Sequence, residues 1–448
     1  MQNAAATPPA LERGLRKAYW RLLPLLFVCY VVAYIDRANV AIAKLAMTRD
    51  LQGFDNAVIG FGAGVFFWGY FLLEIPGSLM VERWSARKTL SRIMVTWGIA
   101  AALTAAVRTP YEFYGVRFLL GLAEAGFFPG VIIYLTHWFP AKDRARALSY
   151  FLIGTPVAQL TSPKISNALL KIGGDAAGGA THGAHVLGMQ GWQWVFVVEG
   201  LPAVALGLVV LLALPDRPRN ARWLSAEERD ALEGQLEIER ARRAAGHRMT
   251  LLQAFGNPKV LLLAAAYLCS TSANYGVEFF LPSILQQWYS LSLDRITWLV
   301  LLPPVLALAS QIGVGWNSDR TRERRLHAVV PIALGMAGLA LVPLTRGHLP
   351  LTIAAFMVIV AGIKAYQPAF WSLPSLFLTD VAAAGSIGLI NSIGNLGGFF
   401  GPTILGGVEN LTGSFVGGIY YLSASMAVCA VIIFTLGIGR RERGDAPH

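Results

Sequence analysis

Charge is scarce in this chain. Asp, Glu, Lys and Arg make up 14% of it, where a soluble globular protein carries about 25%. With 55% hydrophobic residues, too little polar surface remains to cover a water-soluble particle. Cysteine is nearly absent as well. Cys29, Cys269 and Cys429 all stand in apolar runs, where a thiol behaves as a small hydrophobe. An odd, scattered set excludes a disulfide framework, and no Cys/His spacing fits a metal. The Gly- and Ala-rich stretch 171–190 holds His182 and His185, which read as stray side chains in a flexible loop. No Gly-rich phosphate loop follows a strand, and no basic patch is interleaved with exposed aromatics. Hence no metal, cofactor or nucleic acid is expected, although the net charge is +11.

What the chain has instead is long apolar runs. A run of about 20 apolar residues matches the roughly 30 Å hydrocarbon thickness of a bilayer. Such runs fall near 20–44, 56–81, 89–107, 111–137, 146–170 and 192–214, and again near 259–288, 295–316, 327–345, 350–376, 383–408 and 415–438. The first is too long for a signal peptide and lacks a small-residue cleavage site, so it reads as a retained helix. The reading is an all-α membrane protein of twelve transmembrane helices. An N-terminal six-helix bundle (1–214) and a C-terminal one (259–448) flank a cytoplasmic linker (215–258).

Most of the 37 Lys and Arg fall on one side of this layout, that of both termini and the linker. Lys44, Arg49, Arg108, Lys171, Arg295 and Arg346 fall on the other, and Arg37, Arg117, Lys164 and Lys364 lie within spans. By the positive-inside rule both termini are cytoplasmic. Within the linker, Ser225-Ala-Glu-Glu228 has the pattern of a helix-capping box. It predicts a short amphipathic helix there, with too few residues for a regulatory domain. The two halves echo each other. Glu82-Arg83 followed by Arg87-Lys88 comes after the second span, and Asp319-Arg320 followed by Arg322, Arg324 and Arg325 after the eighth. Repeated six-helix halves of this kind build secondary transporters, and Glu82, Arg83, Arg87, Asp319 and Arg320 are read as gating residues.

A charge at mid-membrane costs at least about 2.5–3.5 kcal/mol, so such residues pair, face the bundle interior or line water. Asp36 and Arg37 are adjacent in span 1, and adjacent helical residues point about 100° apart, so they cannot both face one partner. Arg117 and Glu124 share one face of span 4, about 10 Å apart along the axis, and each should answer a charge on another helix. Glu124 suits proton loading and release. Lys364 lies mid-span, and Lys164 lies near the outer end of its span, where it could snorkel. Glu74 reads as structural and Glu199 as an interhelical hydrogen-bonding group. Glu278 shares a face with Asn274. Tyr70, Gln159, Asn274, Tyr275, Gln311, Ser372, Asn391 and Asn395 form a polar set within the spans, the last two one turn apart on a Gly-broken helix. Broken helices expose backbone where substrates bind.

The sequence resembles the major facilitator superfamily, and within it the anion:cation symporter family, over roughly 20–440. The resemblance rests on Tyr34-Ile-Asp36-Arg37-Ala-Asn39-Val, Glu74-Ile-Pro76-Gly77 and the stretch from Arg117 through Gly121, Glu124 and Gly126 to Pro129-Gly130. It continues in Trp192 to Gly200, Asp216-Arg217-Pro218, Asn274-Tyr275-Gly276, Ser318-Asp319-Arg320, Phe370-Trp371-Ser372-Leu-Pro374 and Asn391 to Gly398. Ser78, Glu82 and Ser85 depart from the family's usual Gly, Asp and Gly. The resemblance implies proton-coupled transport of a small organic anion: a sugar acid, tartrate or an aromatic acid such as phthalate. The stretch from Ser91 to Pro140 is most similar to the tartrate and phthalate branch. The resemblance also implies that Asp36 and Glu124 carry protons and that Arg37 contacts the substrate carboxylate. Tyr70, Trp371, Ser372 and Asn391 or Asn395 would stand nearby, with Arg117 pairing with or modulating the carboxylates. Lys364, Asn274 and Tyr275 join the expected substrate-binding set, and Lys364 and Glu278 would be particular to this protein. The expected partners are the anion, a proton and the lipid bilayer of a bacterial inner membrane, with the chain a monomer and not an enzyme. The competing readings are a proton-coupled antiporter exporting hydrophobic compounds and a non-transporting receptor.

Overall fold

In hydrocarbon every backbone N–H and C=O must bond within the segment that carries it, so apolar runs of this length become helices. The computed structural model describes residues 9–172, 187–244, 256–376 and 380–439; the His182/His185 stretch lies outside them. Among the described residues ten helical segments are long and apolar enough to cross a membrane. Two interrupted ones complete twelve: Ala141–Leu152 with Gly154–Leu170 as the fifth, and Asp380–Asn395 with Gly397–Thr412 as the eleventh.

The first span starts earlier than the apolar run does. Pro9–Ala38 and Val40–Asp50 stack end to end through Asn39 into 42 helical residues, about 60 Å at 1.5 Å per residue. That is twice the bilayer core, and the extra turns dock on a helix of the linker, Ala226–Ala244. Its capping box forms: Ser225 N–H donates to Glu228 Oε2 at 3.0 Å, and Glu228 N–H donates to Ser225 Oγ at 3.3 Å. Lys17 Nζ reaches Glu228 Oε2 at 2.7 Å, and Trp223 stacks on Trp138 with centroids 5.4 Å apart. The linker helix therefore rides on the first half. Lys17, together with the Ser225 N–H, holds the Glu228 carboxyl below the usual glutamate range.

Small residues set the helix crossings that matter for the site. A side chain on Gly121 (span 4) would collide with the Phe66 carbonyl oxygen of span 2, and one on Gly69 with the Phe118 carbonyl oxygen. Backbones this close are the mark of small-residue packing in membranes. Spans 2 and 11 cross as tightly, Gly60 against Pro402 and Gly398 against the Phe67 ring. The fourth span, expected as one helix, is broken. Gly126 sits between Pro110–Glu124 and Phe127–Thr136 at φ 86°, a left-handed conformation that glycine adopts without a Cβ clash.

Two short loops face the linker side. Asp216 accepts the Ser85 hydroxyl at 2.9 Å and the Arg87 N–H at 2.9 Å. It thereby holds the start of the third span, Ala86–Leu103. In the matching loop Arg324 Nη1 stands 2.5 Å from Asp319 Oδ1, and the Arg320 guanidinium lies 5.4 Å from the Trp316 ring centroid. Arg83 is exposed. The side chain of Glu82 lies outside the described residues.

On the face opposite the linker the two halves are sewn together. Asn167 Nδ2 donates to Asp294 Oδ1 at 2.6 Å, and Lys171 reaches the same oxygen at 2.7 Å. Asn56 Nδ2 donates to Glu409 Oε2 at 2.7 Å. Lys164, read as a snorkelling residue, instead lies 3.4 Å from the Trp298 ring centroid, across the same seam.

Candidate functional site

The intramembrane charges of the first half converge. Arg37 Nε donates to Glu124 Oε1 at 2.7 Å and Nη2 stands 2.6 Å from that oxygen. Asp36, one residue earlier and turned away, accepts the indole N–H of Trp97 (span 3) at 2.5 Å and Asn39 Nδ2 at 3.3 Å. The 100° between neighbours thus sends the two charges to different helices. Glu124 ends its helix at the Gly126 break, so its carboxylate leaves the helix where the backbone changes course. Arg117 is 1% exposed, and its Nε has no hydrogen-bond partner. Its guanidinium and that of Arg37 stand 5.2 and 5.5 Å from the Phe66 ring centroid, and Arg37 stands 5.0 Å from that of Tyr70. The Gly69/Gly121 crossing brings these rings beneath the cations, whose charge is attracted to the ring faces. Two acids and two guanidiniums make the cluster neutral when all four are ionised. Protonating one acid leaves it positive.

Beside this cluster lies a cavity of roughly 90 Å³ between the halves. Ala38, Ala41 and Ile42 of span 1 and Gln159 of span 5 line one side, and Asn274, Glu278 and Lys364 line the other. Asn274 Nδ2 donates to Glu278 Oε2 at 3.3 Å. Lys364 lies within the electrostatic reach of Glu278 but makes no hydrogen bond or salt bridge among the described residues. Gln159 donates to the Tyr34 hydroxyl at 3.4 Å, which links the cavity wall to the helix that carries Asp36 and Arg37.

Other sequence-selected residues stand elsewhere. Asn391 donates to Glu74 Oε1 at 2.8 Å and Ser392 to Oε2 at 2.9 Å. Glu74, read as structural, therefore joins the halves, and Asn391 is committed to it. Trp371 packs edge-on to Tyr267, with centroids 4.8 Å apart, and Ser372 donates to the Ala369 carbonyl. Tyr275 packs on Phe67 at 4.5 Å. None of Trp371, Ser372, Tyr275, Asn391 or Asn395 is among the cavity's lining residues. Glu199 accepts the Ser166 hydroxyl at 2.8 Å between spans 5 and 6.

The sequence reading passed over Trp97 and Phe66, because an aromatic in an apolar run carries no period or charge to mark it. The available signal for Trp97 was its N–H, which needs an acceptor once buried.

Comparison with known proteins bears on the family and the fold. Residues 26–402 match the Major Facilitator Superfamily. A protein of Agrobacterium vitis, provisionally named a tartrate transporter, is 40% identical over 433 residues, 96% of each chain. The quinolone resistance transporter of Acinetobacter baumannii is 36% identical over 94% of each. Among solved structures, the inward-open xylose transporter XylE of E. coli superposes with a TM-score of 0.74. The match covers 96% of this chain and 98% of that one at 14% identity, so it speaks to fold alone.

Proposed function

The chain belongs to the major facilitator superfamily and is a multi-pass membrane transporter of a small molecule, and from that premise we propose that it is a proton-coupled symporter. It imports a small organic anion, a dicarboxylate such as tartrate or phthalate or a sugar acid, by alternating access. It works as a monomer in the bacterial inner membrane with both termini cytoplasmic.

The Arg37–Glu124 pair carries the reading. A guanidinium presents a fork that matches a carboxylate, and here the resident Glu124 occupies it. A proton on Glu124 frees Arg37 and turns the cluster positive, so proton loading prepares the site for an anion. Asp36, held by Trp97 and Asn39, is the second proton site. The freed fork takes one substrate carboxylate, and Lys364 across the cavity meets the other acidic end. Tyr70 and Arg117 steady the Arg37 side through Phe66. Asn274 shapes the opposite wall, and Tyr275, packed on Phe67, backs it from outside the cavity. Trp371, Ser372, Asn391 and Asn395 reach the substrate only through a rearrangement of the second half. The loops at Arg83, Arg87, Asp319 and Arg320 gate the cytoplasmic face.

A second reading, proton-coupled export of hydrophobic compounds, draws support from the quinolone resistance relative and from the cavity's apolar lining, Ile42, Val277, Leu281 and Ile363 among it. Proteoliposomes separate the two. With the outside acidified, import predicts accumulation of labelled tartrate, phthalate or galactonate above its external concentration. Proton-driven efflux of a quinolone without acid uptake would overturn import.

A further inference from the structure

A buried ammonium stands apart from this machinery. Lys44, placed by the sequence among the outer flanking charges, is 1% exposed. Its Nζ lies 3.5 Å from the Phe280 ring centroid and has no hydrogen-bond partner. The ring offers its negative face to the cation but leaves the donors of the ammonium unused. Glu409, the acid within electrostatic reach of Lys44, is already engaged. Asn56 donates to one of its oxygens at 2.7 Å and Gln287 to the other at 2.9 Å, and no salt bridge to Lys44 forms among the described residues.

Lys44 lines a cavity of roughly 190 Å³ at the face opposite the linker, together with Thr48, Asn56, Ser283, Gln286 and Gln287. Hydroxyls and amides make up most of its wall, with Leu45 and Phe415 beside them, and it is distinct from the central cavity. An unengaged cation among such groups is complementary to a compact negative charge, because hydrogen bonds to charged partners are the strong ones. Its walls come from spans 1 and 2 of one half and from span 7 and the start of the last span of the other, so an occupant would touch both halves. We infer that Lys44 heads an anion subsite at the outer face, which takes a carboxylate or a small inorganic anion and favours the outward-closed arrangement that forms it.

The test uses purified full-length protein in nanodiscs and thermal unfolding, since a ligand bound only to the folded state raises the midpoint with its concentration. The Lys364→Met background removes the central cavity's ammonium. In it, titration with potassium chloride and with potassium tartrate should raise the midpoint. Adding Lys44→Met should weaken that response at least ten-fold in concentration. A response to chloride that depends on Lys44 assigns the subsite to an inorganic anion. One confined to tartrate assigns it to a carboxylate. Identical titrations with and without Lys44→Met overturn the inference and leave the lysine a packing partner of Phe280. Should Lys44→Met unfold, Thr48→Val with Ser283→Val strips two hydroxyls from the wall and keeps the ammonium, and the same two outcomes decide. The readout needs no transport, so it stands whether or not tartrate is carried.

Discussion

At the residue scale the proposed coupling rests on one carboxylate with two possible claimants, a proton and Arg37. Glu124→Gln makes the site permanently neutral at that position. Uptake driven by a pH gradient should fall to background while counterflow of labelled substrate persists. Normal accumulation by the variant would remove Glu124 from coupling. Lys364 separates substrates by their number of acidic ends. A hydrogen bond to a charged group contributes about 1.5–3 kcal/mol. Lys364→Met should therefore weaken a dicarboxylate roughly ten- to hundred-fold and a matched monocarboxylate little, as read from half-saturation constants. Equal losses would make the lysine a structural neighbour of Glu278. These two residues differ in how they showed in the sequence. Glu124 announced itself as a charge seven residues from Arg117 in an apolar run. Which charge it answers did not show, because the partner lies 87 positions away and only the span 1 to span 4 packing joins them. The burial of Lys44 was hidden for a related reason. At the edge of an apolar run, position alone cannot distinguish a lysine that reaches water from one folded under Phe280.

At the element scale the crossing of spans 2 and 4 sets the site's dimensions. Gly121 has no room for even a methyl group, because the obstacle is the Phe66 backbone rather than a movable side chain. Gly121→Ala should push the helices apart at a cost of about 1–3 kcal/mol, the usual range for overpacking. It should also draw Phe66 and Tyr70 away from the guanidiniums. The unfolding midpoint should fall by several degrees and substrate affinity should drop with it. A variant as stable and active as the parent would show that the crossing is not limiting. The spans themselves were legible because bilayer thickness dictates run length. The early start of span 1 was not. Its polar first turns, including Arg13 and Lys17, look like a solvated tail until the linker helix supplies Glu227 and Glu228 against them. The break in span 4 was hidden because Gly126, followed three residues later by Pro129, is of a kind that membrane helices tolerate without breaking, and only the backbone angle reveals it.

For the whole molecule, alternating access requires the seam opposite the linker to open. Asn167 and Asp294 meet across it. Cysteines at both positions, in a background with Cys29, Cys269 and Cys429 replaced, should form an oxidant-induced crosslink that stops uptake. Reductant should restore it. Full transport by the crosslinked protein would place the moving seam elsewhere. The Arg37–Glu124 contact has a consequence for the living cell as well. An empty carrier that supplies its own counter-ion has no reason to cross with a proton alone. Loading Glu124 without an anion would strand a bare guanidinium among Phe66 and Tyr70, an uncompensated charge in a low-dielectric site. On the proposed symport the idle protein would then be a poor leak for the proton gradient, so a bacterium could keep many copies in its membrane during scarcity without draining the gradient that would drive uptake.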